Sequence, residues 1–436
     1  MAPESITTNG TNIPTGIKGI FRALKSRNFR LFFGGQGISL IGTWMQMVAQ
    51  SWLVYRLTGS PTLLGVVGFA ANIPSFVLAP FAGVLADRFN RHRMLVITQV
   101  LSMIQALLLA FLVLSDLVAV WHVIALALFL GIINAFDMPI RQSFIFDMID
   151  RKEDLGNAIA LNSSLVQSSR LIGPSIAGIL IAIVGEGVCF LVNGLSFIAV
   201  IAALLAMKVQ PRAVSRASGS ALHGLKEGFR YAFGNTPIRS ILILLALVNI
   251  VGTPYTVLMP IFARDILGGG PHTLGFIMTA VGIGALVGAI FLASRRSPRG
   301  LGKVLGWAAG IFGVGLVFFS LSRQVWLSLF VMLFTGFGML VNLAGSNTVL
   351  QTIADEDKRG RVMSLYTMGM RGMMPFGSLL AGSVAAAFGA PFVLLLGGAS
   401  CAVGAVIYGF SIRAMRQTSA KIEVFETPTL LRRHRG

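Results

Sequence analysis

The most constraining feature of this sequence is a series of long apolar runs that recurs from one end of the chain to the other. Runs of roughly 17–25 apolar residues can cross a membrane as helices, and twelve can be delimited in these 436 residues. Charged residues make up only 12% of the chain, about half of what a soluble domain carries. Such a composition cannot cover a water-facing surface. The sequence therefore predicts an all-α membrane protein that crosses the bilayer many times.

The predicted spans are bounded by charged residues or by Gly and Pro breaks. Their limits are 30–55, 62–86, 94–115, 118–142, 156–183, 187–207, 239–262, 273–294, 303–322, 325–349, 362–387 and 391–412. The longest connection, 208–238, contains the amphipathic stretch LHGLKEGFRYAF (222–233). This stretch predicts an interfacial linker helix, with a regulatory docking segment as the alternative.

Basic residues are distributed very unevenly among the segments between spans. The N-terminus, alternate loops and the C-terminus hold 30 of the 35 Lys and Arg residues. The opposite loops hold Arg56, Arg264 and Arg323, and Arg170 and Arg371 lie inside spans. Because basic loops stay on the cytoplasmic side, both termini are predicted to be cytoplasmic. This topology explains the net charge of +19, so no nucleic-acid partner is predicted.

The two halves of the chain resemble each other at a shift of 204–205 residues. In the fourth and tenth spans, Trp121, Gly131, Asp137 and Arg141 align with Trp326, Gly336, Asn342 and Ser346. A parallel repeat of this size predicts two pseudo-symmetric six-helix bundles that rock about a midplane site. The predicted divisions are a cytoplasmic N-terminal segment (1–29), an N-terminal bundle (30–207), a cytoplasmic linker (208–238), a C-terminal bundle (239–412) and a cytoplasmic tail (413–436).

The segment GVLADRFNRHRM (83–94) between the second and third spans resembles the major facilitator signature G-x-L-x-D-R-x-G-R-[RK]. It departs at Asn90, where the family has glycine, although Asn tolerates a positive φ. The resemblance implies a lock on the outward-facing state. In this lock the Asp87 carboxylate faces the N-terminus of the eleventh helix. The residues assigned to the lock are Gly83, Asp87, Arg88, Arg91 and Asp147. A plain basic loop is the alternative, and it explains the arginines only.

Three further stretches, QSWLVYRLTGSPTLLG (50–65), DMPIRQSF (137–144) and RLIGPSIAGIL (170–180), resemble the enterobactin-exporter-like branch, the transmembrane secretion effectors. This resemblance implies export of siderophores or drugs. The third stretch also resembles the antiporter motif of the family's fifth helix. The residues of that partial motif are Gly173, Pro174 and Gly178. Arg170 stands where the fuller motif often has glycine.

Polar side chains recur on one face of the first span, at steps of 3, 4, 3 and 4: Gln36, Ser39, Thr43, Gln46 and Gln50. A polar stripe facing lipid is costly, so it is predicted to face protein or a water-filled cavity. Trp44 lies nearby and could stack on a substrate ring. Shorter stripes occur in the seventh and tenth spans: Asn249, Thr253 and Thr256, and Asn342 and Ser346. In the fold implied by the resemblance these spans line the central cavity, which predicts substrate binding. Hydrogen bonding between helices without a ligand is the alternative.

Two arginines lie deep inside spans, and an acidic and a basic residue lie near the end of the fourth span. Asp137 and Arg141 are four residues apart and can pair on one helical face, which makes them candidates for proton coupling; a pair kept for packing is the alternative. Arg170 and Arg371 lie about 14 and 10 residues into their spans, near mid-membrane. Their partner is predicted to be Asp137, water or an anionic substrate.

An enzyme is not predicted, because the sequence has no phosphate-binding loop and no zinc-ligand spacing. Cys189 and Cys401 lie in apolar runs and indicate neither a disulfide framework nor a metal site. With the resemblance to exporters, the prediction is a monomeric proton antiporter of the bacterial inner membrane that exports a small amphipathic or anionic molecule, a siderophore or a drug. Its partners are the substrate, protons and membrane lipids, and no cofactor is implied. An importer working by proton symport and a transporter-like sensor are the alternatives.

Overall fold

The computed structural model describes residues 21–88, 90–208, 221–295 and 297–415, and this part of the chain contains helices and no strand. The first half comprises six long helices, which follow a short 3-10 turn at Arg22–Lys25. They are α1 (Arg27–Thr58), α2 (Pro61–Arg88), α3 (Arg91–Leu114), α4 (Val120–Met148), α5 (Leu155–Val184) and α6 (Glu186–Leu205).

The second half begins with the helix predicted from the amphipathic stretch, and several of its later helices are interrupted. The helices are α7 (Ala221–Gly234), α8 (Thr236–Leu247), α9 (Tyr255–Ile261), α10 (Pro271–Ser294), α11 (Leu301–Leu321), α12 (Val325–Ile353), α13 (Arg359–Thr367), α14 (Met374–Phe388) and α15 (Ala390–Met415). Turns of π-helix occur at Val248–Gly252, Phe262–Ile266 and Met368–Gly372.

Local sequence explains where several of these helices begin and end. The side chain of Asn90 accepts a hydrogen bond from the Arg93 amide and caps α3, as Asn commonly does at a helix N-terminus. The side-chain oxygen of Asn235 accepts from the Ile238 amide and caps α8 in the same way. The α1 helix ends at Gly59, whose φ of 58° is a left-handed conformation that favours glycine.

Ten helical segments of the described chain are long and apolar enough to cross a membrane. Two of the twelve predicted spans do not meet this criterion. The first corresponds to α1, which is long enough but has a less apolar composition because of its polar stripe. The second is the eleventh span, which the π turn around Arg371 divides into α13 and α14.

Each half packs mainly against itself. In the first half α1 contacts α5 and α6, α2 contacts α4, and α3 contacts α4 and α6. In the second half α11 contacts α12 and α15, and α10 contacts α12. The halves meet principally along two helix pairs, α5 with α10 and α2 with α14.

Glycines allow both of these helix pairs to approach closely. A Cβ atom on Gly178 of α5 would lie 2.9 Å from the Cα of Gly275 on α10. A Cβ atom on Gly65 of α2 would lie 2.7 Å from the carbonyl oxygen of Ser378 on α14. Small residues let helix backbones pack together within a membrane. Both contacts lie nearer to the end of the molecule opposite the basic loops.

Candidate functional site

A cationic side chain lies between the two halves. Arg170 of α5 places Nη2 3.8 Å from the Sδ atom of Met339 on α12. Its guanidinium carbon is 5.5 Å from the centroid of the Trp44 ring on α1, within the range of a cation–π contact. The hydroxyl of Tyr255 on α9 is 4.0 Å from the same sulfur atom. Four helices drawn from both halves therefore converge on Arg170, and we call these four side chains the Arg170 cluster.

The Arg170 cluster contains two residues that were predicted and two that were not. Trp44 is brought close to α5 by Gly173, where a Cβ atom would lie 2.5 Å from the Trp44 Cβ. No carboxylate in the described part of the chain pairs with Arg170. Asp137, named from the sequence as a possible partner, bonds to Arg141 instead. Tyr255 and Met339 carried no signal in the sequence, because an aromatic residue and a methionine in an apolar span are ordinary core residues.

The second arginine within a span also contacts a methionine of the opposite half. Arg371 lies in the π turn between α13 and α14, and Nη1 contacts Sδ of Met138 on α4. It is also close enough to Arg141 and Tyr366 for electrostatic interaction. Each half therefore places one arginine against a methionine of the other half. Arg170 contacts Met339 on α12, and Arg371 contacts Met138 on α4.

The polar stripe of α1 is placed partly within the first half. Gln46 donates from Nε2 to Oε1 of Gln105 on α3 at 2.9 Å and accepts from Nδ2 of Asn193 on α6 at 2.6 Å. In this conformation Gln46 matches the alternative reading, hydrogen bonding between helices. Gln36 and Ser39 are buried as well. The remaining members, Thr43 and Gln50, are exposed and half-buried respectively.

The stripes of the seventh and tenth spans are also engaged with protein. Asn249 donates to the Leu245 carbonyl at 2.8 Å, and the hydroxyls of Thr253 and Thr256 bond to carbonyls of their own segment. Asn342 of α12 donates to the Leu305 carbonyl of α11 at 3.3 Å. Ser346 is buried, and its hydroxyl has no partner in the described chain. Asn249, Asn342 and Ser346 are therefore buried within the protein, whereas Thr253 and Thr256 are half-buried.

Asp137 lies in a buried polar site between α3 and α4. Its side chain is 1% exposed, and its Oδ1 atom accepts from Thr98 Oγ1 and from Gln99 Nε2, both at 2.7 Å. Its Oδ2 atom accepts from Nη2 of Arg141, one helical turn along α4. The ionised carboxylate therefore has three donors, so the charge is compensated without water. Only Arg141 of this set could be predicted from local spacing.

A buried polar face of α3 escaped the sequence prediction. Its members, Thr98, Gln99, Ser102 and Gln105, are all buried and lie on one side of the helix. The face runs from Thr98 and Gln99, which bond to Asp137, to Gln105, which bonds to Gln46. The signal was available, because Thr98, Ser102 and Gln105 recur at steps of 4 and 3, as the residues of the α1 stripe do.

The residues of the implied lock lie at the other end of α3 and α4. Arg91 Nη1 lies 3.5 Å from Asp147 Oδ2, so the pair implied by the resemblance is in contact. Gly83, Asp87 and Arg88 belong to α2, but their side chains lie outside the described part of the structure.

A second set of contacts between halves closes the opposite end of the molecule. The Tyr55 hydroxyl of α1 donates to Oδ2 of Asp265, which follows α9. Arg264 lies over the Tyr55 ring at 5.9 Å. Nearby, the hydroxyls of Ser175 on α5 and Thr279 on α10 are 2.6 Å apart. We call Tyr55 and Asp265 the Tyr55 latch.

Comparison with known proteins was consistent with this architecture. The model of the transmembrane secretion effector family matches residues 18–435. The staphyloferrin A transporter of Staphylococcus aureus is 26% identical over 83% of this chain and 90% of its own. The multidrug efflux pump Tap of Mycolicibacterium fortuitum is 26% identical over 80% of this chain and 87% of its own. Macrolide efflux protein A of Streptococcus pyogenes is 24% identical over 86% and 94%.

Solved structures of transporters share the fold. A bacterial homologue of the lysosomal transporter Spinster, inward-facing and occupied, superposes with a TM-score of 0.71 at 13% identity, over 94% of this chain and 99% of that one. A bacterial homologue of ferroportin, also inward-facing, gives 0.67 at 16% identity, over 89% and 98%. The chain is thus a multi-pass membrane transporter rather than an enzyme, and it belongs to the transmembrane secretion effector family of major facilitator proteins.

Proposed function

We propose that this protein exports a small amphipathic or anionic molecule, a siderophore or a drug, by proton antiport through alternating access. The observation that carries the proposal is the position of Arg170. Its guanidinium lies between the halves, beside an indole ring and a thioether, without a carboxylate among the described residues. A cation whose neighbours are an aromatic ring and a thioether is suited to a ligand that has both an anionic group and an apolar body.

The proposed architecture is twelve transmembrane helices in two six-helix bundles, divided at the linker 208–238, with both termini in the cytoplasm. Packing within each half, and the two helix pairs that join the halves, support this division. The 30-to-3 distribution of basic residues supports the orientation.

The proposed cycle has the conformation described above as its cytoplasm-open state. The Tyr55 latch, the Ser175–Thr279 contact and both close glycine contacts lie nearer to the end opposite the basic loops. Rocking of the halves would open this end and bring the lock residues of α2 toward the eleventh span at the other; the Arg91–Asp147 pair lies within the first half and is already in contact. The lock is proposed to comprise Gly83, Asp87, Arg88, Arg91 and Asp147, with Gly173, Pro174 and Gly178 permitting helix contact.

The proposed substrate site centres on the Arg170 cluster and includes Arg371. Of the polar stripes, Thr43 is exposed, and Gln50, Thr253 and Thr256 are half-buried. Gln46, Asn249 and Asn342 would have to exchange their present hydrogen bonds to contact a ligand.

Asp137 is the proposed coupling carboxylate. Arg141 links it to the substrate path, because this arginine lies near Arg371 of the other half. An anionic substrate that draws Arg141 away would leave the buried carboxylate short of a donor and favour its protonation. Substrate binding and the charge of Asp137 would then be coupled through Arg141.

The proposal is tested by expressing the protein in a strain without its own exporters and measuring retention of anionic siderophores, macrolides and cationic dyes. We expect lowered retention of at least one anionic compound, and Arg170→Gln should abolish this effect whereas Arg170→Lys should keep part of it. Increased accumulation in cells would instead favour the importer.

Coupling is tested on reconstituted protein with the compound so identified. Asp137→Asn should stop efflux driven by a pH gradient while downhill exchange persists in part, because exchange needs no net proton movement. Concentrative efflux at the wild-type rate would show that Asp137 is a packing residue.

A further inference from the structure

The two oxygen atoms of the Asp137 carboxylate have different kinds of partner. Oδ2 is contacted by the Arg141 guanidinium, which can only donate hydrogen bonds. Oδ1 is contacted by the Thr98 hydroxyl and the Gln99 side-chain amide. A hydroxyl and an amide can each either donate or accept. A proton on Oδ2 would therefore face a donor, whereas a proton on Oδ1 would face groups able to receive it.

The Thr98 hydroxyl has two acceptors within reach and one proton to give. Its oxygen lies 2.7 Å from Asp137 Oδ1 and 2.9 Å from the carbonyl oxygen of Leu95. When the carboxylate is charged, the hydroxyl can donate to Oδ1. When Oδ1 carries a proton, the hydroxyl can turn its own proton to Leu95 and accept from Asp137. Both states leave the hydroxyl bonded.

The Gln99 side chain can also bond to Asp137 in either protonation state. Its Nε2 atom donates to Asp137, while its Oε1 atom is buried with no partner in the described chain. A buried acceptor without a partner is costly. Rotation of the amide by 180° exchanges the nitrogen and the oxygen, and the oxygen then faces Oδ1. The amide can thus accept the proton of a neutral Asp137.

We infer that Thr98 and Gln99 are positioning residues that allow Asp137 to take up and release a proton at Oδ1. The inference rests on the proposed role of Asp137 as the coupling carboxylate. Uptake forms one O–H bond at Oδ1, with the proton supplied by water from the open side. Release returns the proton to water, and no other covalent bond changes. Arg141 keeps its contact with Oδ2 in both states unless a substrate removes it.

The charged surroundings of Asp137 are simple. Arg141 is the charged side chain that bonds to it, and Arg371 of the second half lies close to Arg141. The Arg91–Asp147 pair lies farther along α3 and α4. From α5, Arg170 is directed to Met339; the charged side chains at the end of α2 lie outside the described structure. Thr98 and Gln99 are therefore the neutral groups that can tune the proton affinity of this site.

The experiment is an infrared pH titration of the purified wild-type protein, following the carbonyl band of the protonated carboxyl group that disappears in Asp137→Asn. Thr98→Val keeps the shape of the side chain but removes the hydroxyl. We expect its midpoint to rise by about one pH unit, a roughly tenfold change in proton affinity. The midpoint rises because the hydrogen bond lost by the charged form is stronger than the one lost by the neutral form.

Two further variants of the same region complete the test. Gln99→Met should raise the midpoint in the same direction, and Thr98→Ser should leave it near the wild-type value because the hydroxyl is retained. Gln105→Met is the matched control, since Gln105 is an equally buried glutamine on the same face of α3 that bonds to Gln46 rather than to Asp137. Its midpoint should not move.

The outcomes separate this inference from the proposed function. If wild type shows no band that Asp137→Asn removes, Asp137 does not titrate and the coupling proposal itself fails. If the band is present but Thr98→Val and Gln99→Met leave its midpoint unchanged, only the positioning role is refuted. An equal shift in Gln105→Met would also refute that role, because any loss of polarity from α3 would then have the same effect.

Discussion

Tyr55→Phe should shift the protein away from the conformation described here. The substitution removes the hydroxyl that Tyr55 of the first half donates to Asp265 of the second. It keeps the aromatic ring, and therefore keeps the contact with Arg264. Any change in the balance between conformations can then be attributed to one hydrogen bond between the halves.

The magnitude follows from the surroundings of this bond. A hydrogen bond to a charged group contributes about 1.5–3 kcal/mol, but the Asp265 side chain is 48% exposed, so solvent screening reduces the value to about 1 kcal/mol. A change of about 1 kcal/mol alters an equilibrium constant roughly fivefold. Because the latch forms only when this end of the molecule is closed, its loss should favour the opposite conformation by that factor.

The assay is a pair of spin-label distance measurements. Leu57 on α1 and Phe276 on α10 are exposed and report on the end closed by the latch. Ile159 on α5 and Thr352 on α12 are exposed and report on the end near the basic loops. In Tyr55→Phe the first pair should gain a longer distance component, and the second pair should gain a shorter one in the same proportion.

Tyr366→Phe is the matched control. Tyr366 is as buried as Tyr55, but its hydroxyl donates to the Leu343 carbonyl at 3.1 Å, so both partners belong to the second half. Its loss should leave both distance distributions unchanged. The reasoning is refuted if Tyr55→Phe leaves them unchanged too, or if the two variants produce the same shift.

Three further predictions concern the proposed cytoplasmic face. Cysteines introduced at positions 10, 220 and 430, all outside the described structure, should react with an impermeant thiol reagent only from the cytoplasmic side; labelling of position 220 from outside intact cells would contradict the two-bundle architecture. Asp87→Asn should weaken the outward-facing state by roughly 0.3–2 kcal/mol, seen as a wider cytoplasmic mouth in spin-label distances, whereas an unchanged distribution would make Asp87 an ordinary loop residue. The α7 helix should stay docked on α13 at neutral pH and loosen in acid, because hydrogen bonds from Lys358 and Arg361 hold the pKa of Glu227 below its usual value. Hydrogen exchange of the α7 amides would detect the change. Undiminished protection of these amides below that pKa, or in Glu227→Gln, would contradict the prediction.

The sign of the α7 prediction follows from linkage. A carboxyl group with a lowered pKa contributes stability above its unfolded pKa, and that contribution is lost as the pH falls through the folded value. Lys358 has a raised pKa for the same reason, mainly its hydrogen bond with Glu227. Its contribution is present below the unfolded pKa of lysine and is lost only as the pH rises through the folded value. Docking is therefore complete across the neutral range.

Span positions could be predicted closely because the determinants are local. The predicted third span, 94–115, and the sixth, 187–207, agree with α3 and α6 within three residues. Hydropathy, a capping residue and Gly or Pro breaks are all read within a few residues of the helix ends. The divisions of the seventh and eleventh spans were not predicted, because a π turn depends on how neighbouring helices pack.

The direction of a polar stripe could not be predicted for a related reason. The spacing of Gln36, Ser39, Thr43, Gln46 and Gln50 shows that they share one side of α1, but not which neighbour that side faces. The partners of Gln46 are 59 and 147 residues away in sequence. A cavity and a polar helix neighbour both satisfy the requirement that such a stripe avoid lipid, and only the packing distinguishes them.

The surroundings of Asp137 and Arg170 indicate how two such different groups can serve one cycle. All the bonds of Asp137 come from α3 and α4 of the first half, so the proposed rocking of the halves would leave them intact. The contacts of Arg170 include Met339 of the second half, so the same motion would change them directly. The second half can therefore affect Asp137 only through a side chain that bonds to Asp137 and is also accessible to the second half. Arg141 meets both conditions, because its side chain is 23% exposed, bonds to Asp137 and lies near Arg371. We therefore expect Arg141→Lys, which keeps the charge but shortens the reach of the side chain, to weaken coupling between substrate and proton. Unchanged coupling would show that the second half affects the carboxylate in another way.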